Sequence, residues 1–206
     1  EGLLGVITEV TVKILPRPES ARALLTGFAT IEAAGQCVID IIAEGIIPAG
    51  MEMMDKAAIH AAEAFCNAGY PMDAESLLIV ELDGPNPEVD YLIDRVAEIS
   101  KRCGAFSSRV SQTEEERLSF WAGRKAAFPA VGRISPDYYC IDGTIPRARL
   151  PEGLRKMTDM CDKHGLRVAN VFHAGDGNLH PLILYDAGAP GELQKAEEFG
   201  ADILSL

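Results

Sequence analysis

The sequence predicts an α+β fold: a ferredoxin-like antiparallel sheet with helices on one face, extended by a C-terminal hairpin and helix. Three observations predict it. Between about residues 20 and 110, strand-length apolar runs alternate with amphipathic helical stretches in the order strand–helix–strand–helix–strand–helix–strand. The connections between these runs are short, as that topology prefers. Further on, "RVANVF" and "LHPLILY" are β-rich runs joined only by "HAGDGN", the pattern of a hairpin with a glycine-assisted loop.

Each element has a local cause. The opening "EGLLGVITEVTVKILPRP" alternates, with Val6, Thr8, Val10, Val12 and Ile14 on one face and Ile7, Glu9, Thr11 and Lys13 on the other, so a strand is expected. A chain that enters a strand at once, without Met, reads as a piece of something longer. Residues 1–18 are therefore set apart from a domain over 19–206 that is cut short at its C-terminal side. "ARALLTGF" is a short strand. Thr30 caps a helix to about Glu44 whose apolar stripe is Ile31, Ala34, Val38, Ile41 and Ile42. "PAGMEMMD" reads as a strand, and the Ala-rich helix after it runs through Ile59 and Phe65 towards Gly69. "SLLIVELDG" is a strand. "NPEVDYLIDRVAEISKRCG" is a helix with Asn86 as cap, Pro87 at its first position and Gly104 past its end, and "AFSSRVSQ" closes the unit.

The second half changes character. "TEEERLSFWAGRKAAFPA" opens with a capping box, Thr113 to Glu116, and carries the single tryptophan, Trp121, close to Arg124. "DYYCIDGTIPRARLP" is a strand and a turn. "EGLRKMTDMCDKHG" is an amphipathic helix stopped by Gly165, and a last helix starts near Pro190.

Composition narrows the function classes. With 206 residues, 48% hydrophobic and 24% charged, the chain has the makings of an ordered globular domain. A net charge of −12 argues against a nucleic-acid backbone or an anionic membrane as main partner. The cysteines at 37, 66, 103, 140 and 161 form no CxxC pair, which removes zinc knuckles and thioredoxin-type chemistry and suits a reducing, cytosolic compartment. No apolar run approaches the ~20 residues that span a bilayer. "GDGNLH" lacks the third glycine of a dinucleotide fingerprint and leads into a strand, and there is no GxxxxGK[ST].

The chemistry concentrates in the hairpin. Only four histidines occur in the chain, yet His173 and His180 flank one turn. A hairpin folds its ends together, so two imidazoles can point at a common centre, a half-site for zinc or another borderline divalent ion. Asp176 is the nearest carboxylate but sits at the loop apex, and no third ligand is evident. The competing reading is turn chemistry alone: Asp-Gly favours a turn, the histidines are incidental, and Asn178 is explained as readily by the turn as by a ligand.

At "VFHAGDGNLHP" the chain resembles the C-terminal part of the FAD-linked oxidases, the group of the glycolate oxidase D subunits, D-lactate dehydrogenases and D-2-hydroxyglutarate dehydrogenase. "EGLLGVITEVTVKILPRP", "WAGRKAAFPAVGRISPDYYCIDGTIPRARLP" and "DAGAPGELQKAEEFGADIL" agree with it, and the likeness is strongest to the glycolate oxidase D subunits. The resemblance implies oxidation of glycolate or D-lactate to the 2-oxo acid, with hydride transfer to FAD held mainly by an upstream domain. Residues 1–18 would be a remnant of that domain, with Gly2 and Gly5 beside the flavin. It further implies that Arg124 grips the substrate carboxylate, that Phe128 walls the pocket, and that His173 and His180 ligate a divalent metal, zinc first, or act directly on the hydroxyl with Asn178. The residue two positions after the second histidine is Leu182, where the metal-dependent relatives carry a polar one, and the family's downstream glutamate ligand falls beyond Leu206. The implied partners are other glycolate oxidase subunits, including an iron-sulfur subunit, in the cytoplasm or at the inner membrane through those subunits. By itself the chain is expected to be inactive. A rival from another class is a subunit-docking or dimerisation domain with structural histidines, in which a bare apolar sheet face drives homodimer formation.

Overall fold

The computed structural model describes residues 4–206. Strands β1 (Ser20–Phe28), β2 (Gly50–Asp55), β3 (Ser76–Gly84) and β4 (Ala105–Val110) alternate with helices α1 (Ile31–Ala43), α2 (Lys56–Cys66) and α3 (Asn86–Arg102). Then follow α4 (Glu114–Val131), β5 (Asp137–Cys140), β6 (Gly143–Thr144), α5 (Leu150–His164), β7 (Arg167–His173), β8 (Asn178–Tyr185) and α6 (Glu192–Leu204). The sheet order is β4-β1-β3-β2-β7-β8-β5, with β6 also on β8, and every pairing is antiparallel. The first four strands keep the ferredoxin-like order, and the hairpin continues the same sheet beyond β2.

Period-two alternation sorts the side chains into two cores. Leu24, Phe28, Met51, Met53, Leu78, Val80, Phe172 and Ile183 face one side, under α1, α3, α5 and α6. Leu25, Met54, Leu77, Ile79, Val171, Leu182 and Leu184 face the other, under α2 and α4. The α+β class holds, but the expectation of helices on one face is corrected. Strands apolar at both parities must be covered twice, and α2, inserted between β2 and β3, joins α4 on the second face. Helices thus cover both faces of the central strands, while the edge strands β4 and β5 leave Phe106, Tyr138 and Tyr139 exposed.

Two local expectations also change. Residues 5–18 form no strand, and Val6, Val10, Val12 and Ile14 are exposed. Alternation makes a strand only where a neighbour satisfies its N–H and C=O groups, and no strand of the sheet pairs with this stretch. Helix α3 starts one residue early: Pro85 is its cap, in extended conformation and without a side-chain bond, and Asn86 lies in the first turn. The caps at Thr30 and Thr113 form as read, each hydroxyl accepting a backbone N–H three residues on.

Asp55 ends β2 and caps α2, accepting the Ala58 N–H at 2.9 Å, while its other oxygen takes the Asn170 backbone and side-chain N–H groups at 2.8 Å each. Burial outweighs these three bonds and pushes its carboxyl up to about 6. An acid with a folded pKa above its unfolded value binds its proton more readily when folded, so stability falls as pH rises between the two values. Compared with Asp55→Asn, which cannot titrate, the native chain should therefore gain stability as pH is lowered from about 7 towards about 4. Urea midpoints measured across that range check this; a pH-independent difference would contradict it.

Candidate active site

The site grows from one face of α4. Arg117, Trp121, Arg124 and Phe128 recur at spacings of four, three and four, which align them along one stripe. Together they reach three strands, β3, β2 and β8. The Arg117 Nη1 donates to Glu81 Oε2 at 2.6 Å, and Trp121 Nε1 donates to the same oxygen at 2.5 Å. Arg124 Nε donates to Glu52 Oε2 at 2.9 Å, and Phe128 packs edge-on against His180 with ring centroids 6.4 Å apart. The sheet supplies the partners by parity: Glu81 shares a side with Leu77 and Ile79, and Glu52 shares one with Met54.

The height of α4 over the sheet is fixed at Gly123. Tyr70 lies under this residue and donates its hydroxyl to the Phe120 carbonyl at 2.5 Å, and a Cβ at Gly123 would fall inside the phenol. Burial raises the Tyr70 hydroxyl well above its ordinary range, so it remains a protonated donor.

The hairpin brings the imidazoles in. Asp176 and Gly177 N–H groups both bond to the His173 carbonyl, at 3.3 and 3.2 Å. Gly177 takes φ +79°, a left-handed conformation that suits glycine. Asp176 is exposed, its Oδ1 accepting the Asn178 N–H at 3.1 Å, so it serves the turn rather than the histidines. The His173 and His180 rings lie 5.0 Å apart and nearly perpendicular, at 88°. His173 Nδ1 is 2.7 Å from Glu52 Oε1, and His180 Nδ1 is 3.9 Å from Asp142 Oδ1. Burial lowers the His180 pKa and so favours the neutral imidazole, with Asp142 opposing the shift. Asn178 Oδ1 is buried without a hydrogen-bond partner, which leaves an acceptor for a ligand or a water.

Arg124, Phe128, His173, His180 and Asn178 thus share one side of the sheet, with Arg124, Glu52, His173 and His180 in sequence across it. Gly2 lies outside the described residues, and at Gly5 no neighbouring atom lies within 4 Å of a Cβ position. The metal expectation meets an incomplete donor set. Among the described residues no three His, Cys, Asp or Glu side chains are arranged to hold an ion, and the two imidazoles are one short of the three protein ligands a catalytic zinc takes. The expected free guanidinium is half committed: its Nε edge is on Glu52, while both Nη groups make no hydrogen bond among the described residues. Glu52 escaped the motif reading. Its signal was a charge flanked by Met51 and Met53 inside a strand-length apolar run, which demands a buried partner.

A cavity of about 280 Å³ opens on Glu52 and His173, bounded by Gly50, Met51, Arg147 and Asp176. Arg124, Phe128 and His180 are not among the residues that line it. A hollow of about 530 Å³ lies elsewhere, beside Asp55 and the Lys56–Glu75 ion pair. It holds no histidine, so size alone does not locate the chemistry.

Comparison with known proteins identifies the family of the chain. The family described as "FAD linked oxidases, C-terminal domain" matches residues 17–206. The chain is 60% identical over its whole length to the glycolate oxidase subunit GlcD of Escherichia coli K12, covering 41% of that protein. It is 36% identical over 98% of its length to the glycolate oxidase subunit GlcD of Bacillus subtilis, covering 43% of it. A probable mitochondrial D-lactate dehydrogenase of Danio rerio is 27% identical over 97% of the chain and 40% of its own length. The chain therefore spans about two fifths of these relatives. Among solved structures, p-cresol methylhydroxylase has the same fold at a TM-score of 0.68 and 12% identity, over 93% of this chain and 44% of that one.

The packing at Gly123 is directly testable. Gly123→Ala should lower stability by about 1–3 kcal/mol, as overpacking does, and should lift Arg124 from Glu52. An unchanged denaturation midpoint would show that α4 does not rest on Tyr70 as described.

Proposed function

This chain belongs to the family of FAD-linked oxidase C-terminal domains, and on that premise we propose that it orients the substrate of a flavin-dependent 2-hydroxyacid dehydrogenase, glycolate first and D-lactate second. The observation that carries the reading is the convergence of an arginine fork and two imidazoles on one side of the sheet. The flavin, when bound, supplies the hydride acceptor. The rest is done by this chain. The free Nη edge of Arg124 holds the substrate carboxylate by charge-assisted hydrogen bonds. An imidazole nitrogen of His173 or His180 takes the hydroxyl proton as the α-hydrogen leaves with its electron pair, so the products are the 2-oxo acid and a protonated imidazole. Phe128 supplies an apolar side beside His180, which suits a substrate without a second carboxylate. Asn178 Oδ1 accepts from the bound ligand. A divalent ion on the two imidazoles would polarise the same hydroxyl, but with only two protein ligands at hand no step is assigned to it.

The relatives that are glycolate oxidase subunits support a multi-subunit enzyme; we further infer that its electrons leave through partner subunits, an iron-sulfur subunit among them, in the cytoplasm or at the inner membrane. No described helix is long and apolar enough to cross a membrane. The chain alone, without a flavin domain, is inactive in this reading. The docking-domain alternative separates cleanly. In the full-length flavin-loaded protein, Arg124→Lys keeps the charge and removes the fork, so the KM for glycolate should rise by about 10- to 100-fold for each charge-assisted bond lost. Steady-state kinetics that show no change would return Arg124 to a structural role.

A further inference from the structure

Glu52 is a carboxylate 8% exposed, set in a strand whose neighbours Met51 and Met53 are buried. Burying such a charge costs several kcal/mol unless its lone pairs are satisfied. One partner would suffice to hold α4 against the sheet, and Arg124 Nε provides it through Oε2 at 2.9 Å. The second oxygen has a different occupant, Nδ1 of His173 at 2.7 Å. An ionised carboxylate only accepts hydrogen bonds. His173 must therefore donate from Nδ1, and in its neutral form the ring then carries its lone pair on Nε2.

We propose that Glu52 is the positioning residue of this site: it locks His173 in the Nδ1–H tautomer and ties that ring to the Arg124 guanidinium, so that proton acceptor and carboxylate anchor are set by one group. The proposal rests on the reading of His173 as acting on the substrate hydroxyl. The lock has a geometric consequence. Arg124 Nε and His173 Nδ1 are both engaged by Glu52, so the atoms it leaves uncommitted are the two Nη groups of the arginine and Nε2 of the histidine. These are the donor pair and the acceptor that a 2-hydroxy acid needs, since its carboxylate and hydroxyl sit on adjacent carbons. A ligand with the carboxylate but no adjacent hydroxyl would meet the arginine and leave Nε2 without its donor.

The carboxamide of Glu52→Gln offers one oxygen in place of two. If that oxygen serves Arg124, the amide N–H faces His173 Nδ1 and demands an acceptor there, which drives the ring to the Nε2–H tautomer. Histidine-labelled chain, studied by long-range proton–nitrogen NMR with the imidazoles neutral, should show His173 as Nδ1–H in the native sequence and a shift towards Nε2–H in Glu52→Gln. Finding Nε2–H in the native chain overturns the proposal without any variant, and so does an unchanged Nδ1–H tautomer in both Glu52→Gln and Glu52→Ala. In the full-length flavin-loaded protein, Glu52→Gln should lower kcat for glycolate by at least about 10- to 100-fold, the loss typical of a displaced supporting hydrogen bond. KM should change less than in Arg124→Lys. A kcat equal to the native value also overturns the proposal. Should the native full-length protein oxidise no 2-hydroxy acid, the proposed function falls, while the tautomer spectrum still decides the role of Glu52.

Discussion

The Glu52 carboxylate stands where the two parts of the sheet meet. The β2–β7 seam is narrow, with Met53 opposite Phe172 and Met54 opposite Val171, and the site begins at its end, where Glu52 reaches His173. The same carboxylate reaches up to Arg124 on α4. Three elements distant in sequence are joined by one side chain. A buried ion pair of this kind adds little net stability over a hydrophobic isostere, because desolvation offsets most of the attraction. Its value here is geometric: it specifies which edge of the arginine and which nitrogen of the histidine remain free.

Helix α4 acts as a ruler over the sheet. Its stripe places Arg117 and Trp121 on Glu81, Arg124 on Glu52 and Phe128 beside His180. The glycine under the stripe lets Tyr70 come close enough to bond a backbone carbonyl of the helix. Moving α4 by the width of a methyl group would change the distance between anchor and imidazole, and positioning errors of that order have large effects on rate. The rigid parts of the site are therefore the helix and two strands, while the hairpin turn contributes only the spacing between the histidines.

The chain's own chemistry is polar and positional. In the proposed reading its charge-assisted donors, two imidazoles and an apolar wall bind and orient, and the redox power belongs to the flavin. This division fits the family match over residues 17–206 and the presence of the same fold, at 12% identity, in p-cresol methylhydroxylase. A fold shared at that distance carries architecture, and the residues grafted on it decide the substrate.

Local physics was enough to write down most of the elements. Period-two and period-3.6 patterns gave the strands and helices, Thr30 and Thr113 declared their caps, and the Asp-Gly turn announced a hairpin with a histidine on either strand. Motif likeness pointed to Arg124, and helical spacing from it to Phe128. What only the tertiary structure decided is what depends on a neighbour. Residues 5–18 alternate like a strand but have nothing in the sheet to pair with. A sheet apolar on both parities needed a second helical layer, which a linear reading of the ferredoxin-like pattern does not supply. Glu52 looked like one polar residue in an apolar run; its meaning lies in Arg124, 72 positions away, and His173, 121 positions away. Spacing along a chain reports periodicity within one element, whereas a charge bridging two elements is fixed only when the sheet and the helix above it are brought to contact.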